Sequence, residues 1–184
     1  MKRFALLAAF ALALTATPAA AQISVFGGGG VASPQGDDQD AIDSGLILVG
    51  GVTFDLSEML SLYAEGTWGT HDLSETTVNP SSLMAGLLYG FGGEDAAISP
   101  YVFAGGGLQG LSIDVDSEPS DRTFGWQAGA GLGFELIGLP AFLEARYHSA
   151  SFDSDSEVAA DADGRDFGLL SFILGFSFDL SGDN

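Results

Sequence analysis

Apolar and polar residues alternate with a period of two through most of the chain. Leu46, Leu48, Gly50, Val52, Phe54 and Leu56 fall on one face. So do Leu83, Ala85, Leu87, Tyr89 and Phe91, and further on Trp126, Ala128, Ala130, Leu132, Phe134 and Leu136. Successive side chains of a strand point to opposite faces, so this pattern predicts strands with one apolar side. Eight such runs are predicted: Ile23–Ala32, Ser44–Leu56, Leu60–Thr70, Ser82–Phe91, Pro100–Ile113, Arg122–Leu136, Ala141–Phe152 and Phe167–Leu180. No helix is predicted among them. Glycine, present 27 times, costs a helix about 1 kcal/mol per position relative to alanine.

The connectors alternate in kind. Those after runs one, three, five and seven are expected to be longer and acidic, holding Asp37, Asp38, Asp40 and Asp43; Asp72 and Glu75; Asp114, Asp116, Glu118 and Asp121; and Asp153, Asp155, Glu157, Asp161, Asp163 and Asp166. Those after runs two, four and six are short: 57–59, 92–97 and 137–140. An up-and-down meander puts all the long connectors at one end and the short ones, with both termini, at the other. A transmembrane barrel has short turns on one side and long loops on the other. The expected fold is therefore all-β, an eight-stranded antiparallel up-and-down transmembrane β-barrel. In that topology Trp68 and Trp126 reach the outer interface, and Phe54, Phe91, Tyr101, Phe134, Phe142 and Phe178 the inner one. Two aromatic girdles flanking an apolar band fit this architecture.

The opposite face of the strands is expected to fill the interior. It carries Tyr63 and Glu65 in the third run, Gln127 in the sixth, and Glu144, Arg146 and His148 in the seventh. Arg146 is the one base in the middle of a strand. A charge in a narrow lumen needs a partner, so it is expected to pair with Glu65, Glu144 or both. The cluster then serves either as a structural plug or as the gate of a small pore. Gly129, Gly131 and Gly133 form an inward row that leaves room for large neighbours, and Gly105 to Gly107 are expected to act similarly.

The N-terminus has the layout of a secretory signal peptide. Lys2 and Arg3 precede an apolar run from Phe4 to Leu14, and Ala19-Ala20-Ala21 offers a cleavage site before Gln22. Residues 1–21 are thus expected to be a signal peptide and 22–184 the barrel domain. The chain contains no cysteine, which excludes disulfides, thiolate metal sites and a cysteine nucleophile. Its net charge of −20 argues against a nucleic-acid partner, because so few bases cannot neutralise phosphates.

Two motifs invite chemistry. Gly105, Gly107 and Gly110 match the dinucleotide-binding spacing G-x-G-x-x-G. That motif needs a following helix, and Leu111-Ser112-Ile113-Asp114-Val115-Asp116-Ser117-Glu118-Pro119 cannot start one. Asp153, Asp155 and Glu157 space carboxylates as a Ca²⁺ or Mg²⁺ site would, but lack the glycine and distal glutamate of an EF-hand. The favoured reading of these carboxylates is a solvated, repulsive loop, so no cofactor or metal is expected, with loosely bound Ca²⁺ or Mg²⁺ as the alternative.

The whole pattern resembles the small outer-membrane β-barrel proteins of Gram-negative bacteria, of the OmpA/OmpX type. The segments that carry the resemblance are Pro100–Gly107, Phe142–His148 and Phe172–Leu180. It implies outer-membrane localisation, contact with lipid and lipopolysaccharide, insertion by the barrel-assembly machinery, a monomer, and a non-enzymatic role in envelope structure or surface contact. One departure is the C-terminus. Relatives usually end on an aromatic residue, whereas here Phe178-Asp179-Leu180 is followed by Ser181-Gly182-Asp183-Asn184. Some barrels of this size are lipid A deacylases with a membrane-facing His-x-Ser. Here His148 is followed directly by Ser149 and faces inward by phase, against that activity. The pattern also admits a narrow pore or small-solute carrier. A soluble lipocalin-like ligand barrel would instead put the apolar face inside.

Overall fold

The computed structural model describes residues 22–35, 43–73, 76–92, 96–112, 121–151 and 166–180. Among them are eight strands and no helix: β1 (Ile23–Gln35), β2 (Gly45–Asp55), β3 (Leu60–Leu73), β4 (Thr76–Gly90), β5 (Ile98–Ser112), β6 (Asp121–Leu136), β7 (Leu139–Ser151) and β8 (Asp166–Asp179). Each strand pairs antiparallel with its sequence neighbours, and β1 pairs with β8 to close the barrel. Closure leaves no edge, so every strand has a hydrogen-bonding partner on both sides.

Among the described turns, the tightest joins β6 to β7. Leu136 pairs with Leu139 across Ile137 and Gly138, which have φ of 53° and 78°. Two consecutive left-handed residues match the right-handed twist of the flanking strands. Between β2 and β3 the turn is held by Ser57, whose Oγ accepts from the Leu60 amide at 3.1 Å.

Three strands run three or more residues past their predicted ends, β1 and β4 through a proline and β3 on to Leu73. The fourth run was expected from Ser82, yet β4 begins at Thr76 and passes through Pro80; β1 runs three residues beyond Ala32, through Pro34. Proline lacks an amide hydrogen, so it reads as a strand breaker. One missing donor near a strand end does not stop the rest of the ladder. As a result the β3–β4 hairpin is longer than expected, and Asp72 belongs to a strand and not to a long connector.

The polarity of the wall is that of a membrane barrel. Leu46, Leu48, Leu83, Leu87, Leu132, Leu143, Phe172 and Leu174 are exposed on the outside. Inside, Ala32, Ile47, Val49, Phe142, Leu169 and Ile173 form an apolar cluster on β1, β2, β7 and β8. The rest of the lumen mixes buried polar groups such as Glu65, Gln127 and Arg146 with Tyr63, Met84 and Phe103. This arrangement is the inverse of a soluble ligand barrel, which would hide its leucines and expose Glu65, Glu144 and Arg146.

Of the expected girdle, Trp68, Trp126, Phe54, Phe91 and Phe178 are exposed, and Phe134 shares their face. Tyr101 and Phe142 are corrections, since both point into the lumen. Tyr101 follows the phase of Phe103 and Gly105 on β5, and Phe142 that of Glu144 and Arg146 on β7. Parity sends both side chains inward, whatever their place along the strand. Phe142 meets Phe26 edge-on, with ring centroids 6.0 Å apart.

Candidate functional site

The charged interior is built from opposite walls. β3 and β7 lie four strands apart in a ring of eight, so a contact between them crosses the lumen. Arg146 on β7 makes that contact. Its Nη1 donates to Glu65 Oε1 on β3 at 2.6 Å, and its Nη2 donates to Glu144 on its own strand. The single base is thus held by both candidate carboxylates. All three are enclosed, with relative exposures of 1% for Arg146, 3% for Glu65 and 7% for Glu144.

Neutral groups complete the cluster. Gln127 on β6 donates from Nε2 to Glu65 Oε1 at 2.8 Å and to Tyr63 Oη at 2.9 Å. Tyr101 donates its hydroxyl to Glu144 Oε1 at 2.7 Å. The Arg146 guanidinium lies 5.1 Å from the ring centre of Phe103, a cation–π contact. Phe103 in turn meets Tyr63 edge-on. The sequence expectation contained neither Tyr101 nor Phe103 as members. Their signal was the two-residue phase they share with Gly105.

The glycine row of β6 makes this crowding possible. Gly129 pairs with Phe103 on one side and Arg146 on the other; Gly131 pairs with Tyr101 and Glu144. A Cβ at Gly129 would stand 2.5 Å from Phe103 Cζ, and one at Gly131 would run into the Tyr101 ring. No real Cβ tolerates such contacts, so a larger residue here displaces an aromatic ring and the ion pair behind it.

Beneath the cluster lies a cavity of about 240 Å³. It runs from Glu65, Glu144 and Arg146 to the strand ends at Ser24, Asp55 and Ser61. The cluster forms its closed end. On the other side of the cluster, His148 is buried within the barrel, where it pairs in register with Gln127 and Leu169. Ser149 has the opposite phase, beside the outward Trp126. The two residues are thus on opposite faces of the wall, and they form no lipid-facing His–Ser pair. Arg146 Nε, Gln127 Oε1 and His148 Nε2 are buried without a protein partner, and supply the polar contacts that internal water requires. Asp153, Asp155 and Glu157 lie outside the described residues. Gly105, Gly107 and Gly110 fall inside β5, which runs on as strand to Ser112 where a nucleotide-binding turn would open a helix.

Comparison with known proteins gives a consistent picture. Residues 4–178 match the family model described as the outer membrane protein beta-barrel domain. Among solved structures, Neisserial surface protein A is similar with a TM-score of 0.65 at 14% identity, covering 84% of this chain and 95% of that one. OprG of Pseudomonas aeruginosa is similar at 0.52 and 14% identity, over 89% and 97% of the two chains. The N-terminal β-barrel domain of OprF from the same organism scores 0.51 at 20% identity, over 86% and 100%. At such identities the likeness concerns the fold. No match is found among curated protein sequences.

Proposed function

The chain belongs to the outer membrane protein beta-barrel domain family, and on that premise we propose that it is a non-enzymatic, plugged barrel that anchors acidic loops at the cell surface. Membership implies the outer membrane of a Gram-negative bacterium, with lipid and lipopolysaccharide around the wall. Export by a signal peptide at residues 1–21, insertion by the barrel-assembly machinery and a monomeric state belong to the same proposal.

The observation that carries the plug is the strut from Arg146 on β7 to Glu65 on β3. It spans the lumen where the barrel is already crowded by Tyr63, Tyr101 and Phe103. An eight-stranded barrel is just wide enough for side chains to fill. A solute crossing it would have to separate a desolvated ion pair and displace the rings of Tyr63, Tyr101 and Phe103. The placement of His148 and Ser149 on opposite faces of the wall favours a non-enzymatic role. The loops' acidity, carried by Asp37, Asp38, Asp114, Asp116 and their neighbours, favours a role that keeps the surface hydrated and repels anions.

Planar-bilayer recording tests the plug. The refolded wild type is expected to be electrically silent. The triple variant Glu65→Gln, Glu144→Gln, Arg146→Ala, which removes the strut without stranding a charge, is expected to show discrete conducting steps. Steady conductance in the wild type would make the protein a pore and overturn the proposal.

A further inference from the structure

A second polar feature sits on the outside of the wall. Among the described residues the only bases are Arg146, inside the lumen, and Arg122, exposed near the start of β6. Cross-strand register sets Arg122 beside Gly110, Gly110 beside Ser81, and Ser81 beside Trp68. These four residues make a row across β3 to β6. At Gly110 the row has no side chain, and a groove of about 260 Å³ opens there, lined by Ser81, Leu83, Leu108, Gly110 and Arg122.

The next outward row is different. Leu83, Leu108 and Phe124 are neighbours in register, and they are 66%, 52% and 70% exposed. On β6 this row lies two residues farther from the strand's loop end than Arg122, towards Trp126. The surface therefore reads, from the loop end into the membrane band, as a polar notch with one cation above a continuous apolar shelf.

We infer that this notch binds the phosphate-bearing headgroup of an outer-leaflet lipid, with its acyl chains on Leu83, Leu108 and Phe124. The inference rests on the membrane orientation proposed above, with the long connectors outside. Three observations favour this occupant. Arg122 makes no ion pair among the described residues, so its donor fork is available to a phosphate, which it fits bidentately. Ser81 supplies a hydroxyl across the groove, and the buried Gly110 puts no side chain between them. The apolar shelf is continuous with the groove, which a free anion would not use. A free anion would also have to approach a chain of net charge −20, whereas a lipid is already held at the wall by its acyl chains.

The test uses the full refolded barrel in detergent micelles, titrated with a bisphosphorylated lipid A and followed by native mass spectrometry. Wild type is expected to retain one lipid. Arg122→Ala is expected to weaken retention about tenfold, the scale of one charge-assisted contact. Arg122→Lys, which keeps charge but not the fork, should fall between them. A dephosphorylated analogue of the lipid should bind the wild type as weakly as the phosphorylated one binds Arg122→Ala. Equal retention by wild type and Arg122→Ala would overturn the site, as would displacement of the lipid by millimolar inorganic phosphate. Gel mobility of unboiled samples is read in parallel. A wild type that keeps the compact form yet retains the phosphorylated and dephosphorylated lipids equally defeats this inference alone. A wild type with no compact form defeats the barrel proposal beneath it.

Discussion

Arg146→Met is expected to destabilise the barrel by about 3–5 kcal/mol, the usual consequence of removing one partner from a buried ion pair. The substitution keeps the side chain's bulk but leaves Glu65 and Glu144 enclosed at 3% and 7% exposure with no cation. Gln127 and Tyr101 still donate to them, yet neutral donors cannot replace a full charge. The two carboxylates then face each other in a site of low polarity, and folding must expose or protonate at least one. Adding Glu65→Gln and Glu144→Gln to Arg146→Met removes both stranded charges and is expected to recover most of the loss. The measurement is urea-driven unfolding in lipid vesicles, followed by fluorescence of Trp68 and Trp126. A single variant within about 1 kcal/mol of wild type would mean that water screens the cluster, contrary to its enclosure.

Leu143→Arg separates a membrane wall from a soluble one. Leu143 is 47% exposed and lies between Leu132 and Leu174 in register. On a soluble protein, a polar substitution at so exposed a position changes stability by less than about 0.5 kcal/mol. On the lipid face of a barrel, arginine near the midplane costs about 2–4 kcal/mol and near the interface about 0–1. Leu143→Arg is therefore expected to fall in the first range. Leu180→Arg, just beyond the end of β8, is expected to fall in the second. The same vesicle unfolding assay reads both, and equal effects at the two positions would contradict the depth profile of a bilayer.

Much of this architecture was legible because a membrane barrel writes its two faces into one strand. Glu144, Arg146 and His148 stand out against Leu143, Ala145 and Tyr147 without any knowledge of neighbours. Arg146 was visible as the lone base within a strand. Its two partners were not separable by sequence, because Glu144 is on the same strand and Glu65 is on the opposite wall. Only closure of β1 on β8 brings β3 and β7 face to face. Tyr101 and Phe142 were misplaced for a different reason. Each was assigned from its place near a strand end, but membership of a girdle requires outward parity, and the phase of Phe103 and of Glu144 already denied it. Pro34 and Pro80 hid strand ends because a missing donor looks the same in a turn and at the rim of a barrel. The Arg122 notch was not legible at all. It is a row across four strands, and rows are set by register, which no single run contains.

The most direct test of a membrane-spanning barrel is heat-modifiability of the native protein in a purified outer-membrane fraction. Unboiled and boiled samples are run side by side in detergent gels. A protein found in that fraction, with a compact unboiled band distinct from the boiled one, is the predicted result, since a closed eight-stranded wall resists detergent until heated. A single mobility in both samples, with the protein recovered from the soluble periplasmic fraction, would contradict the membrane-spanning barrel and the lipid-facing assignment of its leucines.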